Sequence, residues 1–165
     1  MYNIPDFTDI NLLYKYIEES VHESLLPTAD VVLNLVKKFI WENMYEAYSP
    51  DQNSYRRTYE FANCVSLKFI DNRTIQIFYD SKKIHANEAP DGSFWDQHMS
   101  QTSGQDMSMM LPIFIERGTS GSLWDREPLG AMEAILNNQE NSHKLILREL
   151  VTFLNKQGIK AAIIG

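Results

Sequence analysis

Four residues in one polar stretch are of the types that metal chemistry uses: His85, Asp91, Asp96 and His98. Imidazole and carboxylate both bind zinc or iron, and Asp96-x-His98 places two such ligands close together in the chain. A metal-dependent hydrolase built on His85, Asp96 and His98 is the chemistry this set would serve. Sites of the His-Glu-x-x-His type carry their ligands on a helix, which fixes the geometry. Here the ligands fall within residues 81–106, a stretch with Pro90, Asp91-Gly92 and Gly104 and no visible rigid frame. A solvated loop is the plainer reading.

Nucleophilic chemistry has less to stand on. Cys64 lies beside an apolar alternation, among Phe61, Ala62 and Val65, the setting of a buried structural thiol. No serine sits in a Gly-x-Ser-x-Gly elbow, and Ser120-Gly121-Ser122 reads as loop. His22 and His143 fall on helices, where surface histidines are the ordinary case. Glu18-Glu19 and Glu133 read as solvated helix faces. No glycine-rich phosphate cradle occurs. The expectation is therefore a non-enzymatic chain with no catalytic residue, cofactor or metal.

The elements that would position any site follow from periodicity. Asp6 or Thr8 can cap a first helix with a stripe of Ile10, Leu13, Ile17, Val21 and Leu25. Pro27 interrupts it, and Thr28 can cap a second helix. That second stripe is Val32, Leu35, Val36, Phe39, Ile40, Met44 and Tyr48, with Lys37, Lys38, Glu42 and Glu46 facing away. Ser49-Pro50 ends it. Val65, Leu67 and Phe69, then Ile75, Ile77 and Tyr79, alternate around an Asp71-Asn72 turn and predict an antiparallel hairpin. Residues 81–106 read as a long loop, of the length that is usually functional, disordered or pinned by a neighbour. Residues 110–118 fit either a strand or a helical turn, and residues 129–136 a short helix. Asn141 or Ser142 can cap a last helix whose inner face is Ile146, Leu147, Leu150, Val151, Phe153 and Leu154. Gly158 falls at its C-terminal stop, and the tail reads as a closing strand. The order implies α+β: a small, mostly antiparallel sheet packed against a long N-terminal helix and a C-terminal helix, with long loops.

The chain has 165 residues and 44% hydrophobic content, enough for one domain over residues 1–165, with 1–26 as an N-terminal helical extension. One cysteine excludes an internal disulfide framework. The net charge of −7 argues against a general basic surface for nucleic acid, and Arg56-Arg57 is too short to be a patch. An acidic wall also suits a channel that DNA slides past without sticking. No apolar run approaches the roughly 20 residues of a membrane helix, and no signal-peptide pattern opens the chain. Synthesis and folding in a host cytoplasm are expected.

Aromatics crowd around Trp41, Tyr45, Tyr48, Tyr55, Tyr59 and Phe61. Without surrounding basic residues a base-stacking platform is disfavoured. Core packing at a helix–sheet junction and a subunit interface both fit. Met107, Met109 and Met110 carry the same two readings. Locally, Pro50 breaks the helix, Tyr48 and Tyr55 can bracket the turn, and Arg56 or Arg57 can bond the helix's last carbonyls.

Tyr48-Ser49-Pro50, followed by Tyr55 and Arg56-Arg57-Thr58-Tyr59-Glu60-Phe61, resembles the helix-to-sheet passage of the tail-completion or neck proteins of long-tailed phages and prophages. Leu111-Pro112 through Ile115-Glu116-x-Gly118 looks like that family's Leu-Pro-x-x-Ile-Glu-x-Gly stretch. Arg126-Glu127-Pro128 before a helix is similar to its Arg-Pro segment. The order of elements agrees over residues 28–164. The resemblance implies a virion subunit without chemistry of its own, forming a homo-oligomeric ring at the head–tail junction or tail end. Its partners would be neighbouring neck and tail proteins, with DNA at most a non-specific translocating cargo and no membrane. Rings need heterologous contacts. The junction residues Tyr48, Pro50, Tyr55, Arg56, Arg57, Tyr59 and Phe61 are candidate contacts. So are Trp95, His98, Met109, Trp124 and Arg126 in or beside the 81–106 and 117–128 loops. Rival roles are another tail subunit (terminator, tube- or sheath-associated), the hydrolase above, and a small host-recruiting module.

Overall fold

A computed structural model describes residues 9–47, 59–84, 109–118, 127–137 and 142–164. The architecture is α+β: a long N-terminal helix, a two-stranded antiparallel sheet and a C-terminal helix, with short helices between. Helix α1 spans Ile10–Ile40 and runs on into a π-helical turn, Trp41–Glu46. Helix α2 is Glu60–Cys64, strand β1 Val65–Asp71 and strand β2 Thr74–Tyr79, followed by a 3-10 turn at Ser81–Lys83. Helices α3 (Leu111–Arg117), α4 (Ala131–Asn137) and α5 (Lys144–Lys156) complete the order. The open choice at residues 110–118 is thus a helix, begun by Pro112 in its first turn, where proline's missing N–H costs nothing.

Pro27 does not divide two helices. It lies inside α1, where an interior proline costs about 3 kcal/mol in propensity. The hydroxyls around it bond backwards along the same helix: Ser24 Oγ donates to the Ser20 carbonyl at 2.6 Å and Thr28 Oγ1 to the Ser24 carbonyl at 2.8 Å. Thr28 is therefore a mid-helix residue and not a cap. The helix persists because its buried face continues past the proline through Ala29, Val36 and Ile40. Tertiary burial overrides the local stop signal.

By contacts the chain divides into two compact units. Unit 1 comprises Met1–Asn34, Leu67–Ile77 and Ile135–Gly165; unit 2 comprises Leu35–Ser66 and Phe78–Ala134. In unit 1 the buried residues of α1 are Ser20, Ser24, Thr28 and Ala29. The expected stripe shares that face but is left open at its N-terminal end: Ile10 is 58% exposed and Ile17 is exposed, while Leu13, Val21 and Leu25 are half-buried. Unit 1 is tied by polar and aromatic contacts. The Tyr16 hydroxyl donates to the Gln157 carbonyl, and Gln157 Nε2 to Glu23 Oε2 at 2.9 Å. His22 packs on Phe69 with centroids 5.0 Å apart, and Arg73 Nη2 meets Glu18 Oε1 at 2.9 Å. The hairpin turn follows Asp71, whose Oδ1 accepts from the Arg73 amide at 2.7 Å.

Helix α5 ends as its glycine predicts. Gly158 has φ 84°, its N–H donates to the Asn155 carbonyl, and the Ile159 N–H donates to the Leu154 carbonyl. This pair of bonds is a Schellman motif. The start of α5 differs from expectation: His143 is the N-cap residue with no side-chain cap bond, Ser142 is buried, and Asn141 lies outside the described residues. Leu147, expected on the inner face, is 45% exposed. The described tail forms no strand; among the described residues the sheet has two strands, and Ala161 instead exchanges bonds with the Asn155 side chain.

Unit 2 holds the large apolar core: Val36, Ile40, Tyr45, Phe61, Ala62, Cys64, Val65, Ile84, Ile115 and Ala131. Lys38, Glu42 and Glu46 are exposed as expected, and Lys37 is half-buried.

Candidate functional site

The helix-to-sheet junction in unit 2 brings together three of the aromatic residues that the sequence singles out. Trp41 and Tyr59 stack, 5.3 Å apart and 23° from parallel. Tyr45 meets both rings edge-on, at 5.2 Å and 4.9 Å. Tyr59 sits at φ 58°, ψ 13°, a left-handed conformation that costs an ordinary residue about 1–2 kcal/mol. Its two ring contacts, each worth about 0.5–1.5 kcal/mol beyond area, offset that strain. The left-handed turn redirects the chain into α2. Tyr59 makes no side-chain cap there; the Tyr45 hydroxyl accepts from the Ala62 amide at 3.3 Å instead. Tyr45 is buried, whereas Trp41 and Tyr59 are 42% and 41% exposed. The cluster is thus part core and part surface.

Phe61 continues the junction inward. Its ring stacks on Tyr79 at 5.1 Å. The Tyr79 hydroxyl donates to Glu116 Oε2 at 2.8 Å, while Glu116 Oε1 accepts from the Met132 amide at 2.7 Å. The backbone joins in: the Leu129 amide donates to the Ile115 carbonyl and the Gly130 amide to the Glu116 carbonyl. One carboxylate therefore links β2 to the first turn of α4, where a negative charge is favoured by the helix dipole. The Ile115-Glu116 pair of the resembling stretch has a folding task, with Ile115 buried and Glu116 clamping two elements. The sequence reading quoted Glu116 and gave it no role. The signal was its place between a buried isoleucine and a glycine that has φ 74°.

Neither reactive group of the junction is poised for catalysis. Burial, reinforced by Asp80, pushes the Cys64 thiol up to about 12, so it stays protonated at neutral pH. Its Sγ donates to the Phe61 carbonyl at 3.0 Å. Burial, then the bond to Glu116, raises the Tyr79 phenol well above the usual tyrosine range. Among the described residues no group of three or more His, Cys, Asp or Glu could hold a metal ion. His85, Asp91, Asp96 and His98 lie outside the described residues, as do Tyr48, Pro50, Tyr55, Arg56, Arg57, Trp95, Trp124 and Arg126. Met109 is described, and is exposed just before α3.

A second surface belongs to unit 1. Ile10, Tyr14 and Ile17 are all exposed and spaced to share one face of α1. Phe69, Ile70, Ile163 and Ile164 are exposed as well. No described helix is long and apolar enough to cross a membrane. No family model matches the chain, and no match was found among the curated proteins or the solved structures.

Proposed function

We propose that this chain is a non-enzymatic virion subunit, a tail-completion or neck protein that assembles into a ring at the head–tail junction or tail end of a long-tailed phage. The resemblance over residues 28–164 supports the identity of the role. The observation that carries the need for assembly is the exposed apolar face of Ile10, Tyr14 and Ile17 at the N-terminal end of α1, in a unit where the buried positions of that helix are Ser20, Ser24, Thr28 and Ala29. Apolar surface of this kind marks association sites. The junction supports the same reading, because Cys64, Tyr79 and Glu116 are taken up by packing and capping. The acidic balance of −7 suits a lumen through which DNA passes.

The deciding experiment measures the mass and symmetry of the assembled protein, followed by a map of the particle that locates it. A closed ring at the neck or tail end is the expected result. A stable monomer absent from purified particles would overturn the reading. Metal analysis of the parent chain and of His98→Ala tests the hydrolase: stoichiometric metal lost in the variant would replace the structural role with an enzymatic one.

A further inference from the structure

Unit 1 presents two charged rows of opposite sign. On α1, Leu12, Glu19, Glu23, Leu26 and Asp30 recur at steps of seven, four, three and four, which places them along one side of the helix. All five are exposed. On α5, Lys144, Arg148 and Lys156 recur at multiples of four, again all exposed, and Lys160 follows the helix. Leu147, 45% exposed, lies beside Lys144 and Arg148, as Leu26, 42% exposed, lies between Glu23 and Asp30. Each row is thus a charged strip with a leucine in it.

Helical backbone begins before Lys144, in a π-helical turn at Ser142 and His143, so the basic row starts inside the helix, and Lys156 lies in the last turn, where the helix dipole favours a cation. Among the described residues the rows have only weak partners: Lys15 meets Glu19 at 3.8 Å on the surface, Gln157 bonds Glu23, and Lys156 lies over Phe153.

We propose that the acidic row of α1 in one copy docks on the basic row of α5 in the next copy, with Leu26 and Leu147 near the centre of the contact. The occupant of each face is a second copy of this chain, because the two rows are opposite in charge and both are exposed. The contact is heterologous: every docked copy leaves one acidic row and one basic row free, so the chain grows until it closes on itself. The inference rests on the ring reading and goes beyond it by naming one pair of faces, of which the acidic row lies on the side of α1 opposite Ile10, Tyr14 and Ile17.

Two paired reversals test it on the full chain: Glu19→Lys with Asp30→Lys, and Lys144→Glu with Arg148→Glu. All four positions are exposed, and melting temperatures within a few degrees of the parent's certify the fold. Sedimentation should show each pair raising the concentration needed for assembly by about tenfold or more, a loss of about 1.4 kcal/mol. The quadruple variant should regain assembly, and an equal mixture of the two paired variants should co-assemble. Raising salt from about 50 to about 500 mM should weaken the parent assembly in the same direction. A ring indifferent to both reversals overturns this inference and leaves the ring reading standing. A folded quadruple variant that fails to regain assembly also overturns it. A parent chain monomeric up to about 1 mM overturns the inference and the ring reading together. If reversal at Lys144 and Arg148 abolishes binding to a DNA duplex while assembly is unchanged, the basic row serves nucleic acid and the inference fails.

Discussion

The two units bury different things. In unit 2 the interior is large and apolar, with Val36, Ile40, Phe61, Val65 and Ile115 closed off from water. In unit 1 the buried positions of α1 are Ser20, Ser24, Thr28 and Ala29, and large side chains such as Ile10, Tyr14 and Ile70 face solvent. Helix α5 repeats the pattern: its sequence is strongly two-faced, yet none of its residues is fully buried. Burial of apolar area is the main favourable term in folding, at about 25 cal/mol per Å². Unit 2 therefore carries the means of its own stability, while unit 1 retains apolar surface that association would cover. Unit 2 exposes large apolar side chains as well, at Trp41, Met109 and Ile113, so the contrast lies in what each unit buries.

The sharpest way to break this contrast is to truncate matching residues. Ile40→Ala, at a site with 0% exposure, should cost about 2–5 kcal/mol in a denaturant titration. Ile10→Ala should change stability by no more than about 0.5 kcal/mol and act on assembly instead. Equal losses from the two would erase the distinction between the units. The Glu116 clamp comes next. Glu116→Ala should cost about 1–3 kcal/mol, because a buried phenol and a helix amide lose their acceptor together. Combined with Tyr79→Phe, the loss should be less than additive, since both act on one bond. Additivity in that cycle would mean that the Tyr79 bond contributes nothing.

Smaller effects separate the units further. Gly158→Ala places a side chain at φ 84° and should cost about 1 kcal/mol, read as faster amide exchange at the end of α5. The pH responses should lie at opposite ends. Cys64 and Tyr79 of unit 2 have raised values in the fold, so their protonated forms belong to it. The Cys64 contribution is complete below about pH 9.0 and is lost as pH rises through about 12, while the Tyr79 contribution is complete below 10.0 and is lost at higher pH still. Asp71 of unit 1 is lowered, first by the Arg73 amide, so its contribution is present above 3.8 and fades as pH falls. Near-ultraviolet signals from the Trp41 cluster should follow the alkaline limb. An acid-first loss of that signal would reverse the assignment.

Much of the frame was legible in the residues. The alternation at Val65–Phe69 and Ile75–Tyr79 gave the hairpin, and Gly158 gave the end of α5. Val36 and Ile40, from the second stripe, are core residues. The failures share a cause. Pro27 and Thr28 each carry a local signal, of stop or cap, and each is overridden by where the helix buries its face. The stripe through Ile10, Ile17 and Val21 was read as buried because periodicity reports a two-faced helix without saying what covers it. The tail's apolar run predicted a strand, but β-strands need a partner edge, and Asn155 holds that segment instead. At the candidate site, aromatic density was visible and the contacts among Trp41, Tyr45 and Tyr59 followed from it. The left-handed turn at Tyr59 was not visible, because aromatic side chains ordinarily disfavour it. Glu116 was missed because both its partners lie more than a dozen residues away in sequence.

The Glu116 clamp has a consequence for how this protein can change over time. The bonds from Leu129 and Gly130 to the Ile115 and Glu116 carbonyls staple the chain on both sides of residues 119–128. A contact closed directly between two stretches of chain carries a closure cost that grows only logarithmically with the number of residues between them, by about 0.6 kcal/mol per doubling. Changes of length between Glu116 and Leu129 are therefore expected to be cheap as long as both bonds are kept.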